Sequence, residues 1–264
     1  MGKYIDSLSS QQRKNVEFMI KRMNAKGITN PYVQAGILAV ASKESSFLPK
    51  SEKGYGNTSN DRIKKIFGSR VSGLSDNQLT ALKKNEKAFF DRIYGGRYHN
   101  AADEGYKYRG RGLNQLTFKS NYEKVNPYVD VDIVKNPDKL NELPVAVDAL
   151  IGFFKREFGK SNAKLSDYGM SDINDAKSIE SGVGVAYHAN TGWGKTKSQI
   201  DRDSTGGHKK AVDRAPEFYE LTKKLTGKKA SGSIDKKKIL IPLGVAVLVV
   251  ATYILVTQLT PKKN

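Results

Sequence analysis

Ile239 opens a run of 21 residues without a charged side chain, ILIPLGVAVLVVATYILVTQL, and Leu259 closes it. At a rise of ~1.5 Å per residue, a helix of this length reaches about 30 Å, the thickness of a bilayer's hydrocarbon core. Lys236, Lys237 and Lys238 flank one end, Lys262 and Lys263 the other. A helix buried in a soluble core would be shorter and amphipathic. The run therefore predicts a single transmembrane helix over 239–259, followed by a short tail, 260–264. The preceding stretch, 226–238, is rich in Lys, Gly and Ser and reads as a linker. What remains, 1–225, must fold by itself.

Within that body the 3.6-residue period dominates and strand-like alternation is scarce. Val16, Met19, Ile20 and Met23 share one face of a helix predicted over 10–26, which Gly27 stops. Asn30 followed by Pro31 places a capping side chain before a proline at the first helical position, ahead of the apolar segment VQAGILAVAS. Ser75 and Gln78 have the spacing of a capping box. The helix behind them, predicted over 76–94, carries Leu79, Leu82, Phe89 and Ile93 and ends at Gly95 and Gly96. Two more helices are predicted over 144–158, burying Val147, Leu150, Ile151 and Phe154, and over 209–225. The body is read as a mainly α domain without internal repeats.

Its charge is unusual. The chain holds 45 Lys and Arg against 27 Asp and Glu, a net +18. Residues 226–264 contribute seven Lys and one Asp, or +6, which leaves about +12 on the body. Such an excess fits a polyanionic partner: nucleic acid, an acidic membrane face or an anionic cell wall. It also fits a basic protein that is merely kept soluble. There is no cysteine, so disulfides and thiolate chemistry are excluded. His99, His188 and His208 are widely spaced and form no ligand pattern, so neither a metal nor another cofactor is expected. Residues 1–14 lack an apolar core, and no signal peptide is expected there.

Two glutamates could carry acid–base chemistry. Glu44 ends the apolar segment GILAVASKESSF, where partial desolvation favours the neutral, proton-carrying form of a carboxyl. Glu52 follows eight residues later, beyond Pro49, in the polar stretch SEKGYGNTSN, where it keeps its charge. Glycoside cleavage uses such a pair, an acid for the leaving oxygen and a base for a water. Glutamates at this spacing are also common on solvated surfaces. A second constellation is more specific: YGGRYHN at 94–100, GYKYRGRGLNQLT at 105–117, and Asn121-Tyr122. Arg109 and Arg111 can orient carboxylates or bind anionic groups. Gln115, Thr117 and Asn121 offer amides and a hydroxyl to sugar substituents, and Tyr108 a ring face. A Gly/Arg-rich loop can instead cradle phosphate, although no Walker-type Gly-Lys-Ser/Thr ending is present.

The run YGGRYHNAADEGYKYRGRGLNQLTFKSNY closely resembles the central signature of glycoside hydrolase family 19, the chitinases and their phage endolysin relatives. ILAVASKESSF is similar to that family's helix bearing the general acid, and SEKGYGN to the element bearing its second glutamate. NPDKL with FFKREF, and VAYHANTGWGK, lie where the family has later conserved segments, so the resemblance covers roughly residues 10–220. It implies a two-lobed, lysozyme-like helical fold and inverting hydrolysis of β-1,4 bonds between N-acetylated amino sugars. It makes Glu44 the general acid, Glu52 the base and Thr117 a water-positioning group, with Gln115, Asn121 and Asn190 holding the glycan. Carboxyls about 6.5–9.5 Å apart leave room for the water in such a mechanism. Two departures stand out. Lys43 replaces the customary His, and an ammonium there favours the ionised form of Glu44 unless it points to solvent. Asn-Thr-Gly-Trp replaces Ile-Asn-Gly-Gly, and Trp193, the only tryptophan, is either a sugar platform or a packing residue.

Chitin is neutral and peptidoglycan is not, so the basic body favours peptidoglycan glycan strands as substrate, with chitin the alternative. The membrane is the second expected partner, through 239–259; no nucleic-acid partner is expected and no protein partner can be identified. Five Lys precede the span between 228 and 238 and two follow it, an asymmetry that leaves the body on the cytoplasmic side. A single-pass, membrane-anchored lytic enzyme of a phage virion, or of the host inner membrane, is the expectation that reconciles anchor and wall. A membrane-anchored wall-binding protein with weak catalysis and a basic virion protein contacting the genome are the competing readings.

Overall fold

The computed structural model describes residues 3–159, 162–192, 195–202 and 206–227. Their helices are α1 (Lys3–Ser7), α2 (Ser10–Ala25), α3 (Pro31–Glu44), α4 (Asn60–Phe67), α5 (Asp76–Lys84), α6 (Glu86–Tyr94), α7 (Lys119–Val125), α8 (Leu143–Gly159), α9 (Asn162–Ser166), α10 (Ile179–Thr191), α11 (Lys197–Asp201) and α12 (Gly207–Gly227). Among the described residues there is no strand, only an isolated antiparallel bridge between Arg111 and Leu116. The mainly α class is therefore right. The chain divides between Thr226 and Gly227. Among the described residues no helix is long and apolar enough to cross a membrane. The span expected at 239–259 and its linker beyond 227 lie outside the described residues.

Local capping starts the helices. Ser9 and Ser75 each form a capping box, with Gln12 and Gln78 respectively. The Asn30 side chain accepts from the N–H groups of Tyr32 and Val33, with Pro31 behind it. One expectation fails: 76–94 is two helices. Asn85 ends α5 and caps α6, its side chain accepting from Ala88 N–H while its backbone is extended (φ −100°, ψ 97°). Asparagine competes for backbone hydrogen bonds in this way, and here the cap wins over helix continuity.

Packing follows from α3. Val33 through Ser42 are buried, so this helix is apolar all round and runs through the main core. It lies against α10 at a contact that only glycine allows. A Cβ on Gly36 would sit 2.2 Å from the Gly182 carbonyl oxygen, and one on Gly182 would sit 2.2 Å from the Tyr32 oxygen. Eight residues on, Asn190 of α10 reaches Glu44 of α3. The sequence offset is the same at both points, so the two helices run parallel. On the other side, Arg22 of α2 grips the buried Asp148 of α8 with two hydrogen bonds of 2.6 and 2.5 Å. A second apolar cluster gathers Tyr108, Leu116, Tyr122 and Ile133, and a third gathers Ile63, Leu79, Phe89, Phe90 and Ile93 from α4, α5 and α6.

Candidate functional site

Glu44 is the last residue of α3, and the chain then turns sharply. Ser46 and Phe47 adopt left-handed backbone angles, φ 51° and 63°. The turn is held from α2, with Asn15 Nδ2 donating to the Phe47 carbonyl (2.8 Å) and Gln12 Nε2 to that of Ser46 (3.0 Å). The carboxylate of Glu44 meets polar partners rather than the apolar face of its own helix. Asn190 Nδ2 donates to Oε1 at 3.3 Å, and Lys43 Nζ stands 3.5 Å from the same oxygen. Lys43 is exposed along part of its length, yet its ammonium is engaged by the protein. Its ammonium also donates to the Tyr187 hydroxyl at 3.4 Å and lies 5.0 Å from that ring's centre. Burial pulls its pKa down, but Glu44 and Tyr187 outweigh this and hold it above the ordinary lysine value. The apolar setting expected for Glu44 is thus corrected: an ion pair occupies it.

Glu52 sits in a cup of donors. Tyr55 Oη donates to Oε1 at 2.8 Å, Tyr94 Oη approaches both oxygens at 3.1 and 3.2 Å, and Gly110 N–H donates to Oε2 at 3.2 Å. An ionised carboxylate is an acceptor-only group and matches this cup. Burial first, and the Glu52 charge second, push the phenols of Tyr55 and Tyr94 well above the ordinary tyrosine range, so both keep the protons they donate. The backbone is tied as well, with Glu52 N–H donating to the Gly110 carbonyl at 2.7 Å. Gly110 fills a slot, since a Cβ there would lie 3.1 Å from Gln115 Oε1 and 3.2 Å from Glu52 Oε2.

The loop opposite is built around buried cations that serve the loop itself. Arg111 is 2% exposed; it bonds Asp138 (2.7 Å), the Lys107 carbonyl (2.6 Å) and the Tyr122 hydroxyl (3.3 Å). Arg109 lies 3.9 Å from the Tyr106 ring centre and donates to the carbonyls of Tyr106 and Glu52. Tyr108 is 1% exposed, its hydroxyl spent on the Val134 carbonyl. Tyr108, Arg109 and Arg111, expected to face a ligand, direct these donors to the protein's own carbonyls and to Asp138, and so also brace the loop. Burial keeps the Tyr122 phenol up at about 12, so its hydroxyl can donate to the Arg109 carbonyl at 2.8 Å.

Gln115, Thr117 and Asn121 are half-buried and linked in series. Gln115 has a left-handed φ of 53° and donates Nε2 to the carbonyls of Lys50 and Gly112 (3.0 and 3.1 Å). Thr117 Oγ1 donates to the Gln115 carbonyl at 2.9 Å, and Asn121 Nδ2 to that of Thr117 at 2.8 Å. Each spends its donor on the backbone, so the Gln115 and Asn121 side-chain carbonyls and the Thr117 oxygen remain as acceptors. A groove of about 410 Å³ is lined by Lys50, Ser51, Glu52, Lys53, Gly54, Tyr55, Thr58 and Gln115.

The expected residues therefore form two groups, one around Glu44 with Asn190 and one around Glu52 with Gln115, Thr117 and Asn121. No hydrogen bond joins the groups among the described residues. Trp193 lies outside the described residues. Sequence reasoning missed Tyr55 and Tyr94 as partners of Glu52. Tyr55 is only three residues away, whereas Tyr94 stands 42 positions on and had no local signal. Among the described residues no group of three or more His, Cys, Asp or Glu is placed to hold a metal ion. No protein-family model matches the chain, and no curated protein matches it.

Proposed function

We propose that the chain is a peptidoglycan-cleaving glycosidase, acting on β-1,4 bonds between N-acetylated amino sugars by inverting acid–base hydrolysis. The observation that carries this reading is the Glu52 cup. Three separate elements, the 50–55 turn, the end of α6 and the Gly110 loop, converge on one carboxylate and hold its two oxygens. In this reading Glu52 takes one proton from the attacking water. The Thr117 hydroxyl, whose hydrogen is committed to the Gln115 carbonyl, accepts a hydrogen bond from the water's other O–H, which stays on the attacking oxygen, and so aims the water. Glu44 gives its proton to the leaving oxygen, and Asn190 fixes its carboxyl. The separate apolar cluster around α4, α5 and α6 supports a two-lobed, lysozyme-like arrangement. The charge of the body supports a cell wall rather than chitin, and the run at 239–259 supports a membrane-anchored lytic enzyme of a phage particle.

A second reading is favoured by Lys43. Its ammonium stands 3.5 Å from Glu44 and pairs with the very carboxyl that the mechanism uses as proton donor. This is what a wall-binding protein with little turnover would tolerate. Incubation with purified peptidoglycan, followed by mass and anomer analysis of the new ends, separates the cases. Reducing ends that emerge as the α-anomer are expected. Anhydro-muramyl ends would exclude hydrolysis, and an undegraded but bound wall would leave the binding-protein reading.

A further inference from the structure

The loop that follows α6 displays an aromatic side chain in a conformation that works against it. Tyr98 is 59% exposed and has a left-handed φ of 45°, a region that bulky side chains disfavour. His99 (φ 69°) and Phe118 (φ 71°) share it. Such backbone persists only where surrounding bonds over-determine it, and it clusters at ligand contacts. Here the bonds are present. Ser120 N–H donates to the Tyr98 carbonyl at 3.0 Å, and Asn100 N–H to that of Arg97 at 2.8 Å. The Asn100 side chain bridges the Tyr94 carbonyl and the Lys119 N–H. The fold thus holds a large apolar ring outward, where it contributes little to any core.

The ring is also connected to the site. Tyr98 packs on Phe118 at 4.7 Å between centroids, tilted 58°, and Phe118 meets Tyr94 edge-on at 5.2 Å. Less than 10 Å therefore separates the Tyr98 and Tyr94 rings, and the Tyr94 hydroxyl touches Glu52. Arg97 lies 5.4 Å from the Tyr98 ring centre and 5.2 Å from that of Phe118. Among the described residues no carboxylate lies within ion-pair distance of it.

We propose that Tyr98, backed by Phe118 and flanked by Arg97, is a glycan-stacking subsite on the Glu52 side of the site, suited to sugar rings that carry acidic substituents. The tyrosine presents a flat apolar face to the ring and the guanidinium reads the carboxylate of the substituent. The subsite rests on the glycosidase reading for its ligand class but not for its test, which measures binding.

The full chain carrying Glu52→Gln, in which any turnover should be cut by about 10²–10⁴-fold, is titrated with two probes. These are soluble peptidoglycan glycan strands bearing lactyl carboxylates, and a neutral N-acetylglucosamine hexamer. Adding Tyr98→Gly should weaken both by about tenfold, the order of one lost aromatic contact. Adding Arg97→Gln should weaken only the acidic strands. Glycine relieves the left-handed backbone, so Tyr98→Gly should melt no lower than its parent, a combination that a merely structural tyrosine does not give. Tyr98→Trp should retain affinity. Unchanged affinity in Tyr98→Gly, or a loss matched by a fall in melting temperature and not rescued by Trp, overturns the subsite. If hydrolysis fails in the wild-type chain while these binding differences hold, the glycosidase reading falls and the subsite stands.

Discussion

Gly36→Ala tests whether the α3–α10 contact is what brings Asn190 to Glu44. The added Cβ would lie 2.2 Å from the Gly182 carbonyl oxygen and 2.7 Å from its carbonyl carbon, both backbone atoms that no rotamer change can move. Ordinary contact begins near 3.4 Å, so the helices must part by roughly 1 Å. Overpacking of this kind costs about 1–3 kcal/mol. In a body of this size that lowers the melting temperature by roughly 2–12 °C. Because the two helices are parallel and rigid, the separation carries to their far ends, where the Asn190–Glu44 bond is already 3.3 Å long. Breaking it should reduce turnover more than affinity for the wall. Thermal melting by circular dichroism, together with wall-degradation kinetics, reads both effects. Gly159→Ala is the control, since nothing lies within 4 Å of a Cβ there, and it should be silent or slightly stabilising. A Gly36→Ala protein as stable and as active as the parent would refute the reasoning.

Glu44→Gln and Glu52→Gln should each cut wall hydrolysis by about 10²–10⁴-fold with folding unchanged, whereas Glu86→Gln, on the exposed face of α6, should be nearly silent; near-normal hydrolysis by Glu52→Gln removes the proposed base. Burial lowers the pKa of His188, which accepts at Nδ1 from the Tyr168 hydroxyl (2.9 Å) and donates from Nε2 to the Lys195 carbonyl (2.8 Å). The unfolded chain therefore takes up this proton first, so the stabilisation is complete above about pH 6.5 and drains away as pH falls through that value toward the lowered folded one. It changes by about 1.4 kcal/mol for each pH unit between the two values, and denaturant titrations should show a flatter profile in His188→Gln. Asp148→Ala strands Arg22 and Lys26 and should cost about 1–3 kcal/mol in the same titrations, with wall binding kept.

What the sequence determined by itself was whatever depends on neighbours three or four residues apart. Asn30 and Ser75 cap their helices because the groups they satisfy lie within that reach, so those starts were legible to the residue, whereas the Ser9 box obeys the same rule and was not read. The apolar spacing around Val147 and Phe154 likewise placed α8 to within a residue or two. At Asn85 the same local rule operated, but an apolar period on both sides masked it, and the helix was read through its break. The candidate glutamates were legible only as positions in a motif. Their surroundings were decided by the tertiary structure, because hydrogen-bond partners 42 to 146 residues apart leave no periodic trace in the chain. Asn190 meets Glu44 because two glycines let α3 and α10 touch, and Tyr94 meets Glu52 because α6 ends beside the 50–55 turn. Arg109, Arg111 and Tyr108 carry side chains that suit a ligand and a scaffold equally well. Where these donors go is decided by burial, which strips water from each and commits it to the nearest carbonyl.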